Sequence, residues 1–188
     1  MLERSESPEE QKRAGSIATS AGWIDHDGVK INILDTPGDG NFIYDTFTAL
    51  QGVDAVAVVI SAPDGVEVQT ERVYQKAKEL GLPRGFVANK MDRERADADT
   101  VIKDINETFG IEAVALQVPI GNEHEFKGVV SLLQRKGLFY KTDGSGSFTS
   151  GEVPADLQDE VDAAWERLVE TVASTDDELL EEYLETFE

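Results

Sequence analysis

Apolar residues recur along this 188-residue chain first at every second position and then at helical spacing, and the order of those patterns predicts the fold. Two runs within residues 19–34 flank Asp27-Gly28, a dipeptide suited to positive φ in a tight turn, so a hairpin is expected. Its second arm, 29–34, runs straight into Asp35-Thr36-Pro37-Gly38. Ile43, Tyr44, Phe47 and Leu50 then share one face of a helix. The run Ala55-Val56-Ala57-Val58-Val59-Ile60 has no polar alternation, as expected of a strand buried on both faces of a parallel sheet. Residues 66–80 supply a crossover helix, with Thr70, Val73, Tyr74, Ala77 and Leu80 in one stripe and Gly81 as its stop. A short strand at 85–88, a helix at 99–109 closed by Gly110, and an apolar strand at 113–118 complete a βαβαβ order, which indicates a doubly wound α/β domain with a mostly parallel sheet.

Past Gly121 the character changes. Residues 128–140 and 147–153 predict strands joined by the turn Asp143-Gly144-Ser145-Gly146-Ser147. Leu157, Val161, Ala164, Trp165, Leu168, Val169 and Val172 then follow a helical period, with Pro154 near the start, where its missing N–H costs nothing. Thr175-Asp176-Asp177-Glu178 fits a capping box for a last helix. Residues 1–12 show no apolar periodicity and are expected to be a mobile lead-in, with order beginning near Arg13. The division is therefore 1–120 for an α/β domain and 121–188 for a smaller α+β unit.

Composition narrows the function. There is no cysteine, so disulfides and thiolate metal sites are excluded, and a reducing compartment is the natural reading. No apolar run approaches a membrane span and the N-terminus is charged, so the chain reads as soluble, cytoplasmic and without a membrane partner. A net charge of −21 argues against gripping nucleic-acid phosphates through a basic patch, and so against a direct DNA partner. Residues 152–188 hold fourteen acids and one base, Arg167, which reads first as a solvated helix face and second as a surface for a basic protein.

Two motifs carry chemistry. Asn89-Lys90-Met91-Asp92 follows the strand at 85–88, at the carboxyl end where ligands bind in open α/β sheets. The Asp92 carboxylate can accept both the ring N–H and the exocyclic amine of guanine, a donor pair that adenine lacks, and a site built on those bonds rejects the base without them. The Lys90 stem can lie along the purine, and Asn89 can tie neighbouring loops together. Asp35-Thr36-Pro37-Gly38 also ends a strand. In phosphate-loop NTPases an Asp in this place helps hold magnesium, and a glycine lets a backbone N–H approach the terminal phosphate. The two motifs stand at the correct strand ends in the correct order, and the fold context supports each.

With Glu10-Gln11-Lys12-Arg13, residues 31–38 and 86–93, and Gly121 with residues 126–133, the chain resembles elongation factor G or a paralogue of it over nearly its whole length. The resemblance implies an incomplete Ras-like P-loop NTPase G domain with an inserted G′ subdomain at 121–188. It also implies GTP/GDP and Mg2+ as ligands, GTP hydrolysis coupled to translocation or ribosome recycling, and the ribosome as partner, its stalk protein meeting the G′ subdomain. Ser16 falls where the family's first switch places a magnesium-binding Thr. Asp39 stands where the family has the His that positions the attacking water. A carboxylate there is repelled by phosphates unless it is protonated or turned away, so a slow or differently activated hydrolase is expected, and a specialised paralogue rather than the housekeeping factor.

No G-x-x-x-x-G-K-[ST] occurs in these residues, so the loop that cradles phosphates is missing from the reading, as is the family's last nucleotide motif, and a truncated piece lacking sequence at both ends is expected. The base-side motifs alone should bind weakly. In a Ras-like sheet the strand that carries the phosphate loop lies between 29–34 and 55–60, so those two strands are expected either to pair directly or to recruit a second copy into a homo-oligomer. The alternative function is a non-hydrolysing acidic interaction module with a vestigial nucleotide site. A free-standing acidic scaffold is the third and predicts no response to GDP. His26 and His124 are read as surface residues, Trp23 and Trp165 as packing residues.

Overall fold

The computed structural model describes residues 8–13, 15–141 and 143–186. These form six α-helices and eight strands among the described residues, gathered into two compact units.

The first unit, residues 1–59 and 67–87, opens with helix α1 (Pro8–Arg13). A mobile lead-in was expected through residue 12; residues 1–7 lie outside the described set, but Pro8 to Lys12 are helical. The local chemistry favours it: proline at the first position lacks the N–H a helix start leaves orphaned, and Glu9 and Glu10 in the first turn with Lys12 and Arg13 in the last complement the dipole. Strands β1 (Ser20–His26) and β2 (Val29–Asp35) pair antiparallel in the expected hairpin, turning at Asp27 (φ 49°) and Gly28 (φ 78°). Both turn residues are left-handed, which matches the twist of the arms.

Helix α2 (Ile43–Ala49) buries Ile43 and Thr46. Helix α3 (Val68–Glu79) buries Tyr74 and Ala77. Tyr74 stacks on Phe86 at 5.6 Å between ring centroids, and the Arg84 guanidinium lies 5.0 Å from the Tyr74 ring.

Strands β3 (Val56–Ser61) and β4 (Arg84–Asn89) form a two-stranded sheet. Val56 N–H donates to Pro83 and Ala62 N–H to Asn89, both at 2.9 Å, so the two strands advance together, as in a parallel pair. Burial on both faces was expected for β3. Instead Val58 and Ile60 are buried while Val59 is 58% exposed, and Val87 of β4 is 47% exposed: the pair is covered on one face. Direct pairing of β2 with β3 was one of the two outcomes expected, the other being a second copy, and it does not occur. Each stays in its own two-stranded sheet among the described residues, because β2 pairs along its length with β1 and β3 pairs with β4, and nothing described bridges their other edges. Trp23, expected to pack, is 55% exposed, with the Lys30 ammonium 4.8 Å from its ring.

The second unit comprises residues 60–66 and 88–188. Helix α4 (Ala98–Phe109) buries Val101, Ile105 and Phe109 and ends at Gly110 in the left-handed conformation, φ 61°. Asp97 caps its start, accepting from the Thr100 N–H at 2.7 Å. Hydrogen bonding to Thr100, first through its side chain and then its backbone, holds the Asp97 carboxyl below its ordinary 3.8. Because the folded value is the lower one, the cap's contribution is complete above that ordinary value and fades as pH falls through the folded one. Asp97→Ala is expected to cost about 1 kcal/mol at neutral pH, and less in acid; parallel urea titrations at two pH values check both.

The strand expected at 113–118 forms later, as β5 (Gln117–Ile120), with Val114 and Ala115 packing on the core ahead of it. It pairs antiparallel with β6 (Gly128–Ser131), which continues through β7 (Lys136–Tyr140) and β8 (Phe148–Gly151) in the order β5-β6-β7-β8. A short loop returns the chain beside β5, so the strand joins this sheet rather than a parallel one. Helix α5 (Gln158–Ala173) lays Val161, Ala164 and Leu168 on Val118, Ile120, Val130 and Leu132, with Trp165 at the rim as expected. Helix α6 (Asp177–Thr186) follows. Its cap is Asp176, whose Oδ1 accepts from the N–H groups of Glu178 and Leu179, not the expected Thr175: the carboxylate one residue nearer the helix reaches the orphan donors directly.

Candidate functional site

Two groups of site residues were read from the sequence, and each is placed by its own unit. In the first unit, β2 ends at Asp35, half-buried, and the chain turns through half-buried Thr36, buried Pro37 and exposed Gly38. The turn is held from below: the buried Thr46 hydroxyl of α2 donates to the Pro37 carbonyl at 3.1 Å. A Cβ added at Gly38 would meet nothing within 4 Å, and its φ is not left-handed. Among the described residues nothing therefore demands glycine at that position, and the space beside it is open to an outside group.

Asp39 follows at once and is fully engaged. Its Oδ1 accepts from the Asn41 N–H at 2.9 Å and the Asn41 side-chain amide at 2.8 Å, capping the 3₁₀ turn Gly40–Phe42. Its Oδ2 pairs with the Arg13 guanidinium. The Asn41 backbone bond first, and Arg13 next, hold its carboxyl below the usual carboxylate range, so it is ionised at neutral pH and a weak base. Ser16 is half-buried on the loop between α1 and β1. That loop folds back on α1, the Glu10 Oε1 accepting from Ile17 N–H at 2.8 Å and from Ala18 N–H at 3.4 Å.

In the second unit, Asn89 ends β4 and its side-chain carbonyl accepts from the Lys90 N–H at 2.9 Å. Asn89 thus braces its own turn. Lys90 takes a left-handed φ of 60°, and its carbonyl accepts from Arg93 N–H at 3.1 Å, closing a turn with Met91 and Asp92 at its centre. Met91 is half-buried, while Lys90 and Asp92 are exposed. Among the described residues the Asp92 carboxylate has no partner of its own, so both its oxygens stand ready to accept. Behind this turn Glu123 accepts from the Arg95 N–H at 2.6 Å, a brace the sequence reading missed; an isolated glutamate 28 residues away carries no local signal.

No group of three or more His, Asp or Glu side chains assembles a metal cage among the described residues. Asp35 and Ser16 offer hard oxygen ligands, which suit a magnesium ion that keeps most of its water and phosphate ligands.

A strand-end turn braced for close approach and an open carboxylate turn after a parallel strand are the parts of a nucleotide-binding α/β domain. The chain belongs to the elongation factor Tu GTP binding domain family, whose model matches residues 3–186, and its fold is that of an α/β P-loop GTPase G domain with mixed sheets. A crystal structure of a protein from Thermus thermophilus is similar to it at 30% identity and a TM-score of 0.85, over 95% of this chain and 26% of that one. The chain thus spans about a quarter of that protein's length. The elongation-factor-G-like reading of the motifs agrees with both, at the level of a translational GTPase.

Proposed function

We propose that this chain is the guanine-recognising portion of a ribosome-associated translational GTPase resembling elongation factor G, whose parent couples GTP hydrolysis in the cytoplasm to translocation or ribosome recycling. The observation that carries it is the braced turn at Lys90 to Arg93 with the unpartnered Asp92 carboxylate at its centre. Asp92 takes the two adjacent donors of guanine, Lys90 covers the ring with its stem, Met91 gives the turn an apolar base, and Asn89 holds the turn in shape. In the other unit Asp35 and the Ser16 hydroxyl would hold magnesium, Thr36 and Pro37 set the turn, and the open space over Gly38 would leave its N–H to a phosphate oxygen. When bound, Mg2+ neutralises charge on the phosphate oxygens. Residues 1–120 are the nucleotide-binding part and 121–188 the G′ part, whose strands β6 to β8 and helix α5 would meet the ribosomal stalk.

Binding by this chain is expected to be weak, because the base contacts act without a phosphate loop among these residues. The test is therefore a titration of isotopically labelled chain with GDP and ADP at millimolar concentration with magnesium. GDP should move the amide signals of Lys90 to Arg93 and ADP should leave them in place. Equal responses, or none, would overturn the reading and leave the acidic interaction module with a vestigial site as the better account.

A further inference from the structure

We propose that Asp39 is a positioning residue: through Arg13 it clasps helix α1 and residues 15–19 to the segment 39–45. The two oxygens of its carboxylate divide the work. Oδ1 is held by both nitrogens of Asn41, which fixes the side chain before any partner arrives. Oδ2 is left aimed at the Arg13 guanidinium, 26 residues earlier in the chain. Arg13 is itself oriented, its guanidinium carbon lying 5.1 Å from the centroid of the Phe42 ring. A second tether closes the other side of the same loop: the N–H and hydroxyl of Thr19 both donate to Asp45 Oδ2, the hydroxyl at 2.7 Å. The loop that carries Ser16 is thus pinned ahead by Arg13 and behind by Thr19, and both pins end on the stretch that follows Asp35 to Gly38.

An isolated exposed ion pair contributes little, because two long side chains must be frozen to make it. Here both partners are pre-oriented, Asp39 by its own cap and Arg13 by the aromatic face, and the Thr19 tether already holds the loop close. Little entropy is left to lose, and the charge-assisted bond keeps more of its strength. The clasp stands on these side chains and not on the nucleotide reading, and it uses the position where the family resemblance puts a catalytic His.

The test is hydrogen–deuterium exchange of the full chain followed by mass spectrometry, without nucleotide. Arg13→Gln removes the cation, and Asp39→Asn removes the charge while keeping an oxygen for the Asn41 cap. Both should speed exchange of the amides of residues 15–19 about threefold to tenfold, while Arg13→Lys keeps part of the protection. Raising salt to about 1 M, where the Debye length is about 3 Å, should speed the unmodified chain towards the variants and leave the variants unchanged. If Asp39 only caps its own turn, Asp39→Asn and salt will leave residues 15–19 untouched, which overturns the clasp. The salt series needs no substitution, so a variant that folds poorly does not blunt the test.

Discussion

Leu132→Ala is expected to lower the unfolding free energy of the second unit by about 2–5 kcal/mol, the range for a leucine removed from a core that cannot collapse around the gap. Leu132 is 0% exposed and sits where β6 ends, between Val118, Ile120 and Val130 of the sheet and Val161, Ala164 and Leu168 of α5. The cavity would be lined by strands on one side and a helix on the other, both fixed by their own hydrogen bonds, so relaxation is restricted. Its neighbour Leu133 is 69% exposed and supplies the control: Leu133→Ala should move stability by no more than about 0.5 kcal/mol. Urea unfolding followed through Trp165, which packs against the same cluster, reports on this unit. Equal effects at the two leucines would mean that α5 does not close over the sheet.

The same pair of residues shows what the sequence makes legible. Leu132 and Leu133 are adjacent and chemically identical, and only the path of the turn that follows β6, where the Leu132 N–H still donates to the Leu116 carbonyl at 3.0 Å, decides which one faces α5. The elements themselves could be read because their signals are local: Asp27-Gly28 demands a left-handed turn, Gly110 stops α4, and the stripe Val161, Ala164, Leu168 has one solution as a helix. Strand partnership could not. Residues 113–118 carry the right apolar content for a parallel strand, yet the pairing strand forms at Gln117–Ile120 and joins β6; the competing partner is set by the Gly121 loop, where an added Cβ would lie 2.1 Å from the Glu125 carbonyl. Likewise the Ala55 to Ile60 run predicts burial on both faces, but Val59 is covered only if something lies over it.

The site residues divide in the same way. Both motifs were found because each is contiguous and ends a strand. The contacts that hold them are not contiguous: Thr46 under Pro37, Glu123 behind Arg95 and Arg13 against Asp39 join residues 9, 28 and 26 positions apart. The charge expected to make Asp39 awkward is met by a guanidinium that only the fold brings to it.

Asp92→Asn is expected to exchange the base preference rather than abolish it. Guanine presents a ring N–H beside an exocyclic amine, two donors that a carboxylate accepts together. Asparagine keeps one acceptor and puts an amide donor where the second stood, which faces the exocyclic amine donor to donor. Xanthine carries a carbonyl at that place and keeps the ring N–H, so its edge complements the amide. A buried donor left without an acceptor loses its full desolvation cost, and charge is lost from the remaining bond as well. GDP binding should therefore fall about a hundredfold or more, while xanthosine diphosphate should gain. The turn itself should survive, because Asn89 on Lys90 N–H and the Lys90 to Arg93 bond do not involve the Asp92 side chain. Competition between the two diphosphates, read at the amide signals of Lys90 to Arg93 in both proteins, gives the answer. A variant that loses both ligands with its turn intact would place base recognition elsewhere than on Asp92. A variant that gains xanthosine diphosphate as it loses GDP would fix the Asp92 carboxylate on the edge of the base.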